Sequence, residues 1–193
     1  MTPTGPEYWY VEKPSVDLLT QLGWSAVDAY AEELGQTGTL GRDSHRDVVL
    51  SHRLRSAMRD LNPAYVPSSA IEEAIEILTK DRSAMDPVRA NREVRDLVRD
   101  GYHAEWVDEL GEKQIETLRF IDLARPTAND LLAAEQVWVK GNLHSRRLDL
   151  VLFVNGIPLV LMEFKKPNES VNAAYEENLT DYRDTIPHLF VPN

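Results

Sequence analysis

The sequence predicts a mixed α/β or α+β fold, with a central mixed β-sheet flanked by helices. Three observations carry this reading. Helical spacing with start and stop residues fills the front half, the period changes to that of strands from about Ile115, and a further helical stretch follows the strands.

Taken in order, Ser15-Val-Asp-Leu-Leu-Thr-Gln-Leu-Gly23 combines a cap, apolar spacing and a closing glycine. A second helix from about Ser44 is expected to stop at Leu61-Asn62-Pro63, because proline cannot continue a helix. The third opens on the capping-box pattern Ser69-x-x-Glu72 and runs to about Lys80. The fourth takes Asp86 as its cap and Pro87 in its first turn, and ends at Gly101. Gly35-Gln-Thr-Gly-Thr-Leu-Gly41 reads as a loop without the spacing of a Walker phosphate-binding sequence. Four strands are expected, Ile115 to Leu123, Glu135 to Lys140, Leu148 to Val154 and Ile157 to Lys165, separated by Arg125-Pro126, Gly141-Asn142 and Asn155-Gly156. A final helix covers about Val171 to Asp184. With no repeat, low-complexity tract or linker, residues 1–193 read as a single domain.

Composition sets the outer limits. The 193 residues are 42% apolar and 27% charged, enough for one substantial core. No apolar run could span a bilayer and MTPTGPEYWYVEKP lacks the pattern of a signal peptide, so a cytoplasmic location and no membrane contact are expected. The absence of cysteine excludes disulfides and thiolate metal sites. The net charge of −11 is unlike that of a free-standing DNA binder, so any DNA would have to be delivered by a larger assembly. Basic residues nevertheless cluster. Arg146 and Arg147 lead into Asp149, Lys165 and Lys166 follow Glu163, and Arg92, Arg95 and Arg99 share a helical face of the kind that solvent alone also explains. The histidines, at 45, 52, 103, 144 and 188, lack metal-ligand spacing and read as surface or satisfied core residues.

The most informative stretch is Arg147 to Lys166, where two apolar strands flank Asn155-Gly156 and Asp149, Glu163 and Lys165 interrupt the apolar pattern. Alternation places Glu163 and Lys165 on one side of their strand and Phe164 on the other. A carboxylate from the neighbouring strand would complete a set of hard oxygen ligands, Asp149, Glu163 and the Phe164 backbone carbonyl, suited to Mg²⁺. Lys165 would then stabilise the charge that develops on a phosphorus under attack by water. That chemistry is metal-dependent phosphodiester cleavage. Solvated charges at a strand end are the plainer alternative, but Glu163 follows Pro158-Leu-Val-Leu-Met162 without a break, and a half-buried carboxylate costs several kcal/mol unless paired or bound to metal. Register supplies a geometric test. A plain two-residue turn at Asn155-Gly156 would put Asp149 opposite Met162 and away from Glu163, so the site requires an odd-length loop or a bulge.

Several short matches then fall in order along the chain: Val11-Glu12-Lys-Pro14, Leu22-Gly23-Trp24, Leu61-Asn62-Pro63, Arg89-Ala90-Asn91-Arg92, Phe120-Ile121-Asp122, Arg147-Leu-Asp149, Leu152-Phe-Val-Asn-Gly-Ile-Pro158, Glu163-Phe-Lys165 and Ile186-Pro-His-Leu-Phe190. Together they resemble the N-terminal nuclease domain of the motor (R) subunit of type I restriction-modification enzymes, from about residue 10 to the end. The resemblance implies a restriction-endonuclease-like core of the PD-(D/E)xK type, with Asp149, Glu163 and Lys165 as the catalytic trio and Mg²⁺ as cofactor. It implies that Glu12 is the family's upstream acidic residue near the metal, beside the alternative of a solvated first-turn carboxylate favoured by the helix dipole. It implies DNA handling by a Gln-x-x-x-Tyr element, matched here by Asn178 and Tyr182, with Arg146, Arg147 and Lys166 as further DNA contacts. Two departures stand out: Leu148 precedes Asp149 where proline is common, and Asn178 is shorter than glutamine. The implied partners are double-stranded DNA and the methyltransferase and specificity subunits. ATP enters only through helicase-like motor lobes, and with no Walker motif before Asn193 the chain reads as an excised N-terminal fragment of a larger subunit. Two other functions compete: a DNA-binding or scaffold module of the same fold that does not cleave, and a free-standing repair or junction-resolving nuclease.

Overall fold

A computed structural model of the chain describes residues 5, 7–165 and 174–192. A π-helical segment, Tyr8–Glu12, runs directly into α1 (Lys13–Gln21), and Leu22 closes it by donating to the Leu18 and Leu19 carbonyls. There follow β1 (Ser25–Asp28), α2 (Ser51–Leu61), α3 (Ser68–Thr79), α4 (Pro87–Asp100), β2 (Tyr102–Val107), β3 (Lys113–Leu118), β4 (Leu131–Lys140), β5 (Ser145–Val154) and β6 (Ile157–Met162). A second π-helical segment, Ala174–Leu179, leads into α5 (Thr180–Thr185).

The main sheet has strand order β1-β4-β5-β6, with β1 parallel to β4 and the other pairs antiparallel. It is the mixed sheet flanked by helices that the sequence predicts, and it matches a restriction-endonuclease-like core. β2 and β3 form a separate hairpin. On one face of the main sheet α1 brings Val16 against Ala133, Leu150 and Leu152, with Met162 and Phe164 at the margin. On the other, Tyr182, Ile186 and Leu189 close over Val137, Val139, Leu148 and Val151. A third core joins α2, α3 and α4 to the β2–β3 hairpin, Phe120 and Ile157. Among the described residues no helix is long and apolar enough to cross a membrane.

Several boundaries differ from expectation, each for a local reason. α2 begins at Ser51 rather than near Ser44, because the preceding loop is pinned by the Arg42 guanidinium, which is buried against Glu32 at 2.6 Å and donates to the Trp138 carbonyl. The helix does stop at Asn62, whose side chain donates to the Met58 and Arg119 carbonyls and accepts from the Arg119 N–H. The capping box of α3 does not form. No side chain caps that helix, and Glu72 pairs with Arg55 instead. α4 keeps its expected ends, with Asp86 accepting from Arg89 N–H at 3.0 Å and Gly101 at a φ of 87°. β1 and β2 escape the sequence reading, since β1 is four mostly exposed residues paired to a strand more than a hundred positions away. The expected third and fourth strands also change length, and β6 ends at Met162, so Glu163–Lys165 lie just past it. Residues 171–173 of the expected last helix lie outside the described residues.

The β5–β6 hairpin decides the site. Asn155 and Gly156 form a two-residue turn with φ of 52° and 79°, both positive as the primed hairpin turns require. Val154 pairs with Ile157 and Phe153 with Pro158, but Leu152 pairs with Val160. Leu159 is therefore an extra residue, a bulge on β6. Pro158 lacks the N–H that a regular ladder would use, and β6 is an edge strand, where both proline and bulges are tolerated. The turn itself is buried. Asn155 donates to the Phe120 carbonyl and accepts from Asp130 N–H, and the Gly156 carbonyl accepts from Leu50 N–H at the start of α2.

Replacing Asn155 by Ala removes these side-chain bonds and puts a Cβ residue in left-handed backbone. Urea unfolding is expected to show a loss of about 3 kcal/mol. Asn155→Gly should lose less, because glycine accepts the backbone without strain. Equal losses for the two would mean that the conformation at this turn contributes nothing.

Candidate active site

The bulge moves the β5–β6 pairing by one residue, so the last registered pair is Leu150 with Met162 and Asp149 stands beside Glu163. Two hydrogen bonds cross between the two segments here. Asp149 N–H donates to Glu163 Oε1 at 3.3 Å, and Phe164 N–H donates to Asp149 Oδ2 at 2.9 Å. The required register shift thus comes from a bulge beside a regular two-residue turn.

The far wall is built by the last helical segments. Asn178 Nδ2 donates to Glu163 Oε2 at 3.0 Å. The hydroxyl of buried Tyr182 lies 3.4 Å from the Arg147 carbonyl and also bonds Glu163. Asn178 and Tyr182 are four residues apart, so one helical face presents both to the same carboxylate. The shorter asparagine therefore still reaches the site, where it holds Glu163.

Glu12 forms the near wall. It is only 6% exposed, which excludes the solvated-carboxylate alternative, and its Oε2 accepts from Gln136 Nε2 at 2.9 Å. Burial, followed by the charge of Asp149, pushes its pKa up to about 7. Glu163 is likewise pushed up to about 7, first by burial and then by Asp149. Burial raises Asp149 as well, against the pull of Phe164 N–H and of the positive charges of Arg147 and Lys165. Lys165 is thus within electrostatic reach of Asp149. Tyr182 is raised well above its ordinary value by burial and then by Glu163.

The basic residues are largely engaged. Arg146 Nη2 donates to Asp181 Oδ1 at 2.8 Å, and Arg147 lies 5.5 Å from the centre of the Tyr30 ring. On α4, Arg95 pairs with Asp96 and Arg99 with both Asp96 and Asp100, so two of the three arginines of that stripe are engaged within their own helix. Lys166 lies outside the described residues. The histidines are expected to be surface or satisfied groups; His45 Nε2 lies 3.4 Å from Glu32 Oε2, whereas His188 Nε2 is buried without a hydrogen-bond partner among the described residues.

Two half-buried carboxylates that repel each other, beside the Phe164 backbone, make an all-oxygen donor set that fits a hard divalent cation such as Mg²⁺. Among the described residues no group of three acidic or histidine side chains closes into a metal cluster, so Glu12 stands beside the pair without completing it. Gln136 was missed at the sequence level. The available signal was a polar residue inside the apolar run Leu131-Leu-Ala-Ala-Glu-Gln-Val-Trp-Val139, the same anomaly that marks Glu163.

Comparisons with known proteins show what the chain is similar to. The family model described as "Type I restriction enzyme R protein N terminus" matches residues 7–193. The HindI type I restriction enzyme endonuclease subunit of Haemophilus influenzae is 33% identical over 187 residues, covering 95% of this chain and 17% of that protein. The putative MjaIXP type I restriction enzyme endonuclease subunit of Methanocaldococcus jannaschii is 29% identical over 189 residues, covering 95% and 18%. The chain thus spans less than a fifth of the length of these relatives.

The crowded carboxylates predict a pH dependence. Glu12 and Glu163 each hold a proton more tightly when folded than at the ordinary value of 4.5, so between 4.5 and about 7 the folded state binds more protons than the unfolded. Their contribution to stability is then full below this window and is lost as pH rises through it. In metal-free protein, Glu163→Gln is expected to unfold at increasingly higher urea than wild type as pH rises across the window. A difference between the two that is constant with pH would contradict the repulsion.

Proposed function

The chain belongs to the family of type I restriction enzyme R protein N termini, and from that premise we propose that it is a Mg²⁺-dependent endonuclease domain that hydrolyses DNA phosphodiester bonds. The observation that carries the proposal is the pairing of Asp149 with Glu163 across the bulged hairpin. Asp149, Glu163 and the Phe164 carbonyl would hold the cation. When bound, it supplies Lewis-acid polarisation of the phosphate and a more acidic water.

The chain's own residues do the rest. Asn178 and Tyr182 orient Glu163, and Phe164 N–H orients Asp149, so the carboxylates are positioned before substrate arrives. Lys165 places a positive charge where the attacked phosphorus gains negative charge, a contact stronger in the transition state than in the ground state. Glu12 and Gln136 close the apolar side next to α1.

In this reading the domain is one part of an R subunit whose remaining length carries ATP-driven motor lobes. Methyltransferase and specificity subunits hold the recognition sequence, and the assembly works in the cytoplasm. The relatives' names and their greater length support that placement. So does the net charge of −11, which disfavours unaided capture of DNA. The same charge, with Arg146 committed to Asp181, favours one second reading, a scaffold module of this fold that does not cleave.

Lys165→Ala in the full-length subunit separates these. It is expected to slow double-strand cleavage about a hundredfold to a thousandfold, corresponding to about 3 to 4 kcal/mol, while DNA-stimulated ATP hydrolysis persists. Cleavage at the wild-type rate would refute the role of Lys165, and absence of cleavage by the wild-type assembly with Mg²⁺ would favour the non-cleaving module.

A further inference from the structure

Gln136 lies opposite Asp149 in the β4–β5 ladder, between the registered pairs Glu135 with Leu150 and Val137 with Leu148. Its φ is 55°, left-handed backbone in the middle of a strand, a conformation that costs a non-glycine residue about 1 to 3 kcal/mol. The consequence is visible in the packing. Leu132 and Ala134 share a core with Val137 and Val139, while Ala133 packs on the α1 side. β5 matches it, since Leu148 shares a core with Val151 and Phe153 while Leu150 and Leu152 face α1. Positions of opposite parity cannot share a face in an unbroken strand. Each strand therefore drops one step of alternation, and the dropped steps fall at Gln136 and Asp149.

The break delivers the Gln136 side chain into the site, where it is 2% exposed. Its Nε2 donates to Glu12 Oε2, which fixes the orientation of the amide. Its Oε1 is buried with no hydrogen-bond partner among the described residues. An unpaired buried acceptor costs about 1 to 3 kcal/mol. A β-branched residue in extended backbone would avoid both this cost and the strain. The pair of costs therefore calls for a compensating ligand. A hard divalent cation keeps several waters, and each needs acceptors for its protons.

Building on the proposed function, we propose that Gln136 is a further residue of the metal centre, with its Nε2 holding Glu12 beside Asp149 and its Oε1 accepting from the water shell of the cation. It is a positioning residue and not a direct ligand.

The test is calorimetric titration of Mn²⁺ into the chain, with thermal melts of the metal-free protein alongside. Gln136→Asn and Gln136→Gly both tolerate left-handed backbone, but neither can reach Glu12 and the cation's water shell together. The expected result is a Kd for Mn²⁺ weakened about tenfold or more, whatever the change in the metal-free melting temperature. Wild-type affinity in both variants would overturn the inference, as would a fall in melting temperature with no loss of affinity, which marks a structural role. Asp149→Asn separates the two layers. If it abolishes Mn²⁺ binding while the Gln136 variants bind normally, the carboxylate pair stands and Gln136 does not. If the wild-type chain binds no Mn²⁺, both fall.

Discussion

Asp149 and Glu163 meet because β6 carries one residue more than its partner needs, and the rest of the site depends on that offset. Without Leu159 in the bulge, the tight Asn155-Gly156 turn would set Asp149 opposite Met162. The turn cannot relax to correct the register. Asn155 is fully buried and bonded to Phe120 and Asp130, and a Cβ on Gly156 would come within 2.5 Å of the Leu50 carbonyl. The helical core therefore clamps one end of the hairpin, and the bulge converts that fixed end into a carboxylate pair at the other.

The second constraint is electrostatic. Burial raises Glu12, Asp149 and Glu163 above their ordinary values, and the charge of Asp149 raises Glu12 and Glu163 further. A fold optimised only for stability would avoid this arrangement. Here each carboxylate is instead held by a dedicated donor: Gln136 for Glu12, Phe164 N–H for Asp149, and Asn178 with Tyr182 for Glu163. These donors orient the oxygens without neutralising them, which leaves the negative charge available to a cation.

Much of this was legible in the sequence because the signals are local. The cap of α4, the Asn-Gly turn and the charged Glu163 directly after an apolar strand are each read from neighbouring residues. What escaped is non-local. β1 is a strand only because β4 lies beside it, and the Ser69-x-x-Glu72 capping box fails because the helix already begins at Ser68, with Pro67 at the cap position, and Arg55 on another helix takes the glutamate. The chemistry required an odd-length loop or a bulge before any residue identified which, although Pro158 was a usable sign of the bulge. Gln136 was hidden because strict alternation assigns it to the wrong face, and only its left-handed backbone corrects that.

The central claim is that the paired carboxylates form a cation site rather than a proton-sharing structural contact. The most direct measurement is a crystal structure of the chain grown with Mn²⁺, analysed for anomalous scattering. The account predicts a peak bonded to one oxygen each of Asp149 and Glu163 and to the Phe164 carbonyl. Well-ordered carboxylates at full Mn²⁺ with no peak between them would contradict it.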